Sequence, residues 1–186
     1  MSPSRSVAWR LRFRRPDTPT RVALRVRDET LMFSEICRVC VESRLAKVAA
    51  LMRPVDADHF SIVSSAGPAE AMFAGLDMRL DPPGQDGPVA MALRHGRVDI
   101  SNDFQHDVRV ARFRARAREQ GVRAMAAFPV RRGGAVVACL GLYVGEAGFF
   151  DEARIALLEE MTGDLSFALD NIDRDAAHAA AEREIE

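Results

Sequence analysis

The sequence predicts an α+β fold, built on one antiparallel sheet with helices on its faces. Two apolar runs, residues 125–130 and 135–144, flank the turn sequence Arg131-Arg132-Gly133-Gly134, as in a β-hairpin. Shorter strand-like segments alternate with helix-like segments earlier in the chain, and a helical pattern follows the hairpin to the end of the sequence. Adjacent antiparallel strands separated by helices are typical of the α+β class.

Length and composition indicate one globular domain with extensions. The 186 residues are 48% hydrophobic and 28% charged, which is ordinary for a chain that fills a core. The formal net charge of −1 gives no global indication of nucleic acid or acidic lipid as a partner. No apolar run reaches the roughly 18–20 residues that span a bilayer, and no secretory pattern is present. We therefore expect a cytoplasmic protein whose three cysteines form no disulfide framework.

The first 27 residues are strongly basic. They hold only one acidic residue, Asp17, and their arginines are Arg5, Arg10, Arg12, Arg14, Arg15, Arg21, Arg25 and Arg27. Such a segment can contact nucleic acid or a membrane. Because it also holds three prolines and no periodic apolar face, a poorly ordered extension over residues 1–27 is the better interpretation.

Periodicity and turn residues predict the remaining elements in order. Asp28 is a candidate N-cap for the first helix, and Pro88 and Gly96 bracket a later one. A basic amphipathic helix over 108–120 has its arginines outside and Val110, Phe113 and Ala117 inside. The predicted helices cover 28–43, 69–76, 89–95, 108–120 and 151 onward, and the predicted strands cover 45–52, 59–64, 98–101, 125–130 and 135–144.

The first and last helices have more apolar surface than one sheet face needs. The last helix carries a heptad pattern over about two repeats, formed by Leu158, Met161, Leu165, Ala168 and Ile172. A helix that is apolar most of the way round is usually covered on two sides, so one side is available to a partner. After Asp173 the apolar pattern becomes sparse. We interpret residues 173–186 as a helical connector to a following domain, with a frayed tail as the alternative.

Several segments, taken in order, resemble a GAF domain. In residues 87–103 a helix ends in Gly96, a strand follows, and Asn102-Asp103 begins a polar loop, as in the middle of that family. Residues 117–130 and 134–143 are similar to its next strands, and Phe150-Asp151 is similar to the start of its final helix. The resemblance covers roughly residues 31–172. Residues 168–186 are similar to the linker that leads from GAF domains into GGDEF or EAL domains of bacterial cyclic-di-GMP enzymes.

The resemblance implies an antiparallel sheet of five or six strands, with the N- and C-terminal helices on one face and a ligand pocket on the other. The domain would then cover residues 28–172. The implied pocket residues are Met72, Phe73, Met91, His95, Phe104, Phe113 and Met125, which would favour a small hydrophobic or aromatic ligand. The implied contacts of a homodimer, formed through the first and last helices, are Met32, Ile36, Val39, Leu158, Met161, Leu165, Ala168 and Ile172.

The sequence carries no catalytic constellation, and we expect no cofactor, no metal and no enzyme activity in this chain. Cys37 and Cys40 form a CxxC pair in the middle of an apolar helix, where buried structural cysteines are the better interpretation, and Cys139 lies in a strand. The histidines have no metal-ligand spacing, and no phosphate loop is present. The bilin-attaching Cys-His pair and the cyclic-nucleotide signature of other GAF domains are also absent.

Three hypotheses for the function therefore stand. The first is a GAF-type sensory module that binds an unknown small molecule, dimerises, and passes a signal through its last helix to a GGDEF or EAL output domain. The second is a thiol enzyme on the same fold, such as a free methionine sulfoxide reductase. The third is a regulator that contacts nucleic acid through the arginine-rich head.

Overall fold

The computed structural model describes residues 21–184, with the side chains of residues 29–183. Residues 1–20 of the predicted basic extension therefore lie outside the described residues. From Arg21 onward the backbone is already helical, so the prediction of a helix start and N-cap at Asp28 is wrong. The residues just before Asp28 include alanine, leucine and arginine, which favour helix, and no proline follows Pro19 there to stop it.

Five strands and five α-helices make up the described part of the chain. The predicted helix over 108–120 is divided into a 3₁₀ helix, Val108–Phe113, and a short α-helix that follows it. Inside the 3₁₀ helix, Val110 has the non-helical angles φ −109° and ψ 15°. The helices are α1 (Arg21–Glu42), α2 (Ala69–Phe73), α3 (Pro88–His95), α4 (Arg114–Glu119) and α5 (Glu152–Glu184). The strands are β1 (Val48–Pro54), β2 (Phe60–Ala66), β3 (Asp99–Ser101), β4 (Ala124–Arg132) and β5 (Ala135–Val144).

The strands form one antiparallel sheet in the order β2-β1-β5-β4-β3. The hairpin of β4 and β5 lies at its centre and pairs Phe128 with Leu140 and Met125 with Tyr143. The predicted α+β class is confirmed, and the described sheet has five strands where five or six were expected.

The sheet separates two hydrophobic cores. Because side chains alternate along a strand, Phe128, Leu140 and Leu142 face the core shared with α1 and α5. Met125 and Tyr143 face a second core on the opposite side. Residues of α2, α3, the 3₁₀ helix and α4 cover that second side. The terminal helices and the region of the predicted pocket therefore lie on opposite faces of the sheet.

Half of the residues predicted to contact a partner are buried in the chain's own core. Met32 and Ile36 of α1 and Leu158 and Leu165 of α5 pack against the sheet, so their assignment to a dimer interface is wrong. The error concerns the rotation of each helix about its own axis. Successive residues lie about 100° apart around a helix, and the heptad pattern includes residues of two neighbouring apolar strips. The other members of the set, Val39, Met161, Ala168 and Ile172, are half-buried and remain a prediction.

In the turn between β2 and α2, one added methyl group is expected to have a large effect on the free energy of unfolding. Gly67 has φ +81°, and a Cβ there would overlap the backbone carbonyl of Lys47, the residue before β1. We expect Gly67→Ala to lower the free energy of unfolding by about 3–5 kcal/mol, from backbone strain plus the collision. Gly84 has φ +89° with no atom close to its Cβ position, so Gly84→Ala isolates the strain and should cost about 1–2 kcal/mol. Urea unfolding measures both, and equal losses would contradict the role of the close contact.

Candidate functional site

A cavity lies on the sheet face opposite α1 and α5. Its floor is the cross-strand pair Met125 and Tyr143 of the central hairpin. Residues of α2 and the following loop form one wall, and the N-terminus of α3 and the 3₁₀ helix form the other. The lining is mainly aromatic and aliphatic and includes Phe60, Met72, Phe73, Leu76, Met78, Leu80, Val89, Phe104, Val110 and Phe113.

The cavity is narrow. Its volume is about 40 Å³. An apolar cavity of about 150 Å³ is known to accept benzene, so a ligand with even one ring requires the walls to move. Met72, Met78 and Met125 supply that freedom, because methionine has flexible torsions and adapts to irregular space.

Three charged residues line the cavity at one end, and two of them, Asp81 and Arg112, are paired with each other. Asp81 accepts a hydrogen bond from the backbone N–H of Gly87 at 3.1 Å, and its other oxygen lies 3.1 Å from Nε of Arg112. Arg79, which also lines the cavity, is largely exposed and lies 3.8 Å from Asp77. The carboxylate of Asp81 and the guanidinium of Arg112 neutralise each other, so the cavity has no uncompensated buried charge among these groups.

Arginine side chains hold the two walls together. Arg112 donates a hydrogen bond to the carbonyl of Arg79 and stacks over the ring of Phe113 at 4.4 Å. Arg116 of α4 donates to the carbonyls of Ala71 and Ala74 at 2.9 and 2.8 Å. These carbonyls belong to α2 and the loop after it, so arginines of the 3₁₀ helix and of α4 satisfy backbone acceptors of the wall that α2 and its loop form.

A second ion-pair group holds the loop between the walls onto α3. Arg94 donates to Asp86 at 2.8 Å and to the carbonyl of Asp81, and Nε2 of His95 lies 3.1 Å from the other oxygen of Asp86. Burial opposes ionisation of Asp86, but the hydrogen bonds from Arg94 and His95 outweigh it and lower the pKa of this carboxyl. Asp86 is therefore an anchor of the cavity loop that needs its negative charge.

Tyr143 is the polar group on the apolar floor of the cavity. The side chain is only 5% exposed, and its ring meets that of Phe73 edge-on at 5.4 Å. Burial raises the pKa of the phenol, which stays protonated at neutral pH. Among the described residues that line the cavity, Tyr143 alone carries a hydroxyl. Gly141 provides the room beside it, since a Cβ there would lie 3.5 Å from the hydroxyl oxygen.

The structure brings together five of the seven predicted pocket residues, Met72, Phe73, Phe104, Phe113 and Met125. Met91 is half-buried away from the cavity wall, and His95 is exposed and bound to Asp86, so placing these two residues at the pocket is wrong. Both lie on α3, whose N-terminal end alone reaches the cavity. Sequence reasoning missed Tyr143, Asp81 and Arg112. The alternation of side chains along β5 could have indicated Tyr143, because it places Tyr143 on the same face of the sheet as Cys139.

All three cysteines are buried in the two cores. Burial raises the pKa of Cys37 and of Cys40 to about 12, and it also raises the pKa of Cys139. Since the thiolate is the reactive form, these thiols are poor nucleophiles in this conformation. Among residues 29–183, no group of three or more His, Cys, Asp or Glu side chains is arranged to hold a metal ion.

A five-stranded antiparallel sheet with terminal helices on one face and a cavity on the other defines the class of small α+β domains. The model of one family, the GAF domain, matches residues 26–170, and the chain belongs to this family. GAF domains are in general sensory modules that bind small molecules. The match agrees with the resemblance of residues 31–172.

Solved structures share the fold at low sequence identity. The blue-light absorbing form of the PixJ GAF domain from Thermosynechococcus elongatus is 16% identical with a TM-score of 0.69, covering 90% of this chain and 99% of that one. A GAF domain region from Geobacter sulfurreducens PCA is 21% identical with a TM-score of 0.66, covering 80% and 97%. Free methionine-R-sulfoxide reductase from Neisseria meningitidis, solved with its substrate, is 16% identical with a TM-score of 0.63, covering 95% and 96%.

Two further findings are negative. No curated protein matches the sequence significantly. Within residues 21–184, no helix combines the length and the apolar character that crossing a membrane requires.

The Asp86 anchor predicts a pH-dependent loss of stability. At pH 7, Asp86→Asn should lower the free energy of unfolding by about 1–3 kcal/mol, because Arg94 loses its buried charged partner. The pKa of Asp86 is lowered from 3.8 in the folded state, so its stabilisation is present above pH 3.8 and is lost as the pH falls through the lower folded value. The difference between the variant and the wild type, followed by urea unfolding, should therefore shrink below pH 3.8.

The matched control for this experiment is Asp58→Asn. Asp58 lies 3.5 Å from the same guanidinium but is 66% exposed, so its loss should cost less than about 0.5 kcal/mol. Equal costs for the two substitutions, or a cost for Asp86→Asn that does not depend on pH, would contradict the assignment of Asp86 as the anchor.

Proposed function

We propose that this protein is a cytoplasmic sensory module in which a small molecule occupies the cavity and the signal leaves through α5. In this proposal α5 leads to a GGDEF or EAL output domain of cyclic-di-GMP signalling, and two copies associate through α1 and α5. The observation that carries the relay is the position of the β4–β5 turn, which contacts both the cavity helix α3 and the outgoing helix α5.

The first contact of the turn is with the end of α3. Arg131 donates from its guanidinium to the carbonyl of Gly96 at 2.9 Å and to that of Gly134 at 3.1 Å. Gly96 is the left-handed C-cap of α3, and a Cβ at that position would collide with the Arg131 side chain. Since Pro88, Val89 and Ala90 at the other end of α3 line the cavity, a shift of this helix reaches the turn directly.

The second contact is with successive turns of α5. The backbone N–H of Arg131 donates to the hydroxyl of Ser166 at 2.9 Å, and that of Gly133 donates to Asp170 at 2.7 Å. Arg132 binds both oxygens of Asp173, at 2.7 and 2.6 Å. These residues lie on one side of α5, where a displaced turn would pull on the helix at three levels.

Arg132 also connects the two terminal helices. Its guanidinium lies 2.9 Å from Glu29 of α1, and Glu29 also pairs with Arg53 of β1. Exposed ion pairs contribute little stability individually, about 0.2–1 kcal/mol. Their role in this proposal is geometric, because a bidentate arginine fixes the relative position of the groups that it joins.

The association of two copies is supported by apolar surface left on the terminal helices. Leu157 and Phe167 of α5 are 44% and 58% exposed, and Leu31 of α1 is 61% exposed. Val39, Met161, Ala168 and Ile172 are half-buried beside them along the same helices. The output domain is supported by the similarity of residues 168–186 to GAF linkers and by the continuation of α5 without a break to Glu184.

A reductase is the second candidate, and it is favoured by the fold of free methionine-R-sulfoxide reductases. The burial and raised pKa of all three thiols argue against it, as does their absence from the cavity lining. Contact with nucleic acid through residues 1–27 depends on a segment that lies almost wholly outside the described residues.

The relay predicts that a change at α3 is detected in α5. Arg131→Met removes side-chain bonds to Gly96 and Gly134, none of which involves α5. If the turn transmits, amide hydrogen exchange at residues 166–173 should become about two- to fivefold faster, as the hydrogen bonds to the turn weaken. Arg118→Met is the matched control, because its guanidinium binds Gln105 elsewhere. Unchanged exchange in α5 of the Arg131 variant would contradict the relay.

The dimer predicts a concentration-dependent mass. Replacing Leu157 and Phe167 together by lysine should raise the dissociation constant at least about tenfold, because the charges would be buried at the interface. Val108→Lys alters an apolar residue that is 80% exposed on the other side of the sheet and should leave association unchanged. Sedimentation equilibrium measures both, and a wild type that stays monomeric at the highest concentration would contradict the dimer.

A further inference from the structure

The polar groups around the cavity are not equivalent. Asp81 and Arg112 are already occupied by each other and by backbone partners. The side chain of Tyr143 is only 5% exposed and lines the same cavity, and among the described residues of the lining it alone carries a hydroxyl. A hydroxyl on an otherwise apolar cavity floor offers a hydrogen-bond donor to a ligand atom placed on it.

The remaining lining selects against charge. Apart from the paired Asp81 and Arg112 and the exposed Arg79, the walls are made of methionine, phenylalanine, aliphatic side chains and Gly87. An ion placed among them would lose its hydration without gaining a counter-ion. The methionine sulfurs are weak acceptors and favour contact with aromatic rings.

We propose that the cavity binds an uncharged, compact aromatic molecule with one hydrogen-bond acceptor, which accepts a hydrogen bond from the Tyr143 hydroxyl. This inference rests on the proposed function, since it names the ligand class of the same site. The apolar body of the ligand lies between the phenylalanines of the walls. Because the free cavity is smaller than one ring, Met72, Met78 and Met125 change their torsions when the ligand enters.

The test uses three probes of similar size on the full chain, labelled with ¹³C at the methionine methyl groups. Acetophenone is uncharged and carries one acceptor, ethylbenzene has the same shape without it, and benzoate carries a charge. The methyl signals of Met72, Met78 and Met125 report on the cavity, while Met161 on the other face of the sheet is an internal control.

We expect acetophenone to shift the cavity methionines and to bind about two- to tenfold more tightly than ethylbenzene, the effect of one net hydrogen bond. Benzoate should bind more weakly than either. Tyr143→Phe keeps the ring and should remove the preference for acetophenone while leaving ethylbenzene affinity unchanged. Thr162→Val is the matched control, because it removes a buried hydroxyl that donates to Leu158 on the opposite face.

Three results would overturn the ligand class: tightest binding by benzoate, a preference for acetophenone that survives Tyr143→Phe, or no shift of the cavity methionines with any probe. Native mass spectrometry of the purified protein separates this failure from that of the proposed function. A retained charged molecule overturns the ligand class and leaves the sensory function standing. Probe binding as expected, with α5 exchange unaltered by the bound probe, overturns the relay and leaves the ligand class standing.

Discussion

The burial of β4 and β5 on both faces is the constraint on which the rest of this structure depends. Every residue from Ala124 to Phe128 is buried, although alternate side chains face different cores. Small residues are needed where neighbours approach closely. Gly141 is one of these, because a Cβ there would come within 2.5 Å of Met52 and 3.2 Å of the Tyr143 ring. The hairpin thus divides the chain into a core for the terminal helices and a second core that contains the cavity.

The cavity side depends on arginine as much as on apolar packing. Its loops have little regular structure, so many carbonyl groups lack strand or helix partners. Arg94, Arg112 and Arg116 donate to carbonyls of the opposing segments, and Arg109 donates to that of Ile100 while pairing with Asp99 and Asp107. The planar guanidinium suits this role, since it offers several donors in fixed directions. Much of the positive charge in this region is therefore used within the molecule.

Sequence patterns predicted the helices and strands better than the tertiary contacts that their side chains make. The hairpin, the strand pairs and α3 between Pro88 and Gly96 follow from local turn and capping chemistry, which acts through neighbouring residues. The basic segment 108–120 shows the limit. Its arginines were expected outside, in solvent, but Arg112 and Arg116 bind carbonyls more than thirty positions away in the chain. No local periodicity reports such a partner.

The same limit explains the errors at the site and on α5. A heptad pattern shows that two strips of α5 are apolar, but which strip meets the sheet depends on the rotation of the helix, and Leu158 and Leu165 turned inward. Tyr143 lies in an apolar strand and has the pattern of a core residue. Its significance comes from the cavity beside it and from its hydroxyl, which are properties of the assembled face.

The small volume of the cavity gives ligand binding a structural consequence. A ligand shifts a conformational equilibrium only by its difference in affinity for the two states. A preformed cavity would accept a molecule without favouring another arrangement of its walls. A cavity of about 40 Å³ cannot hold an aromatic ring unless the walls separate, so such a ligand binds the widened state in preference. Because α3 forms part of the wall and Arg131 holds its C-cap, the proposed relay has widening strain the same contacts that lead to α5.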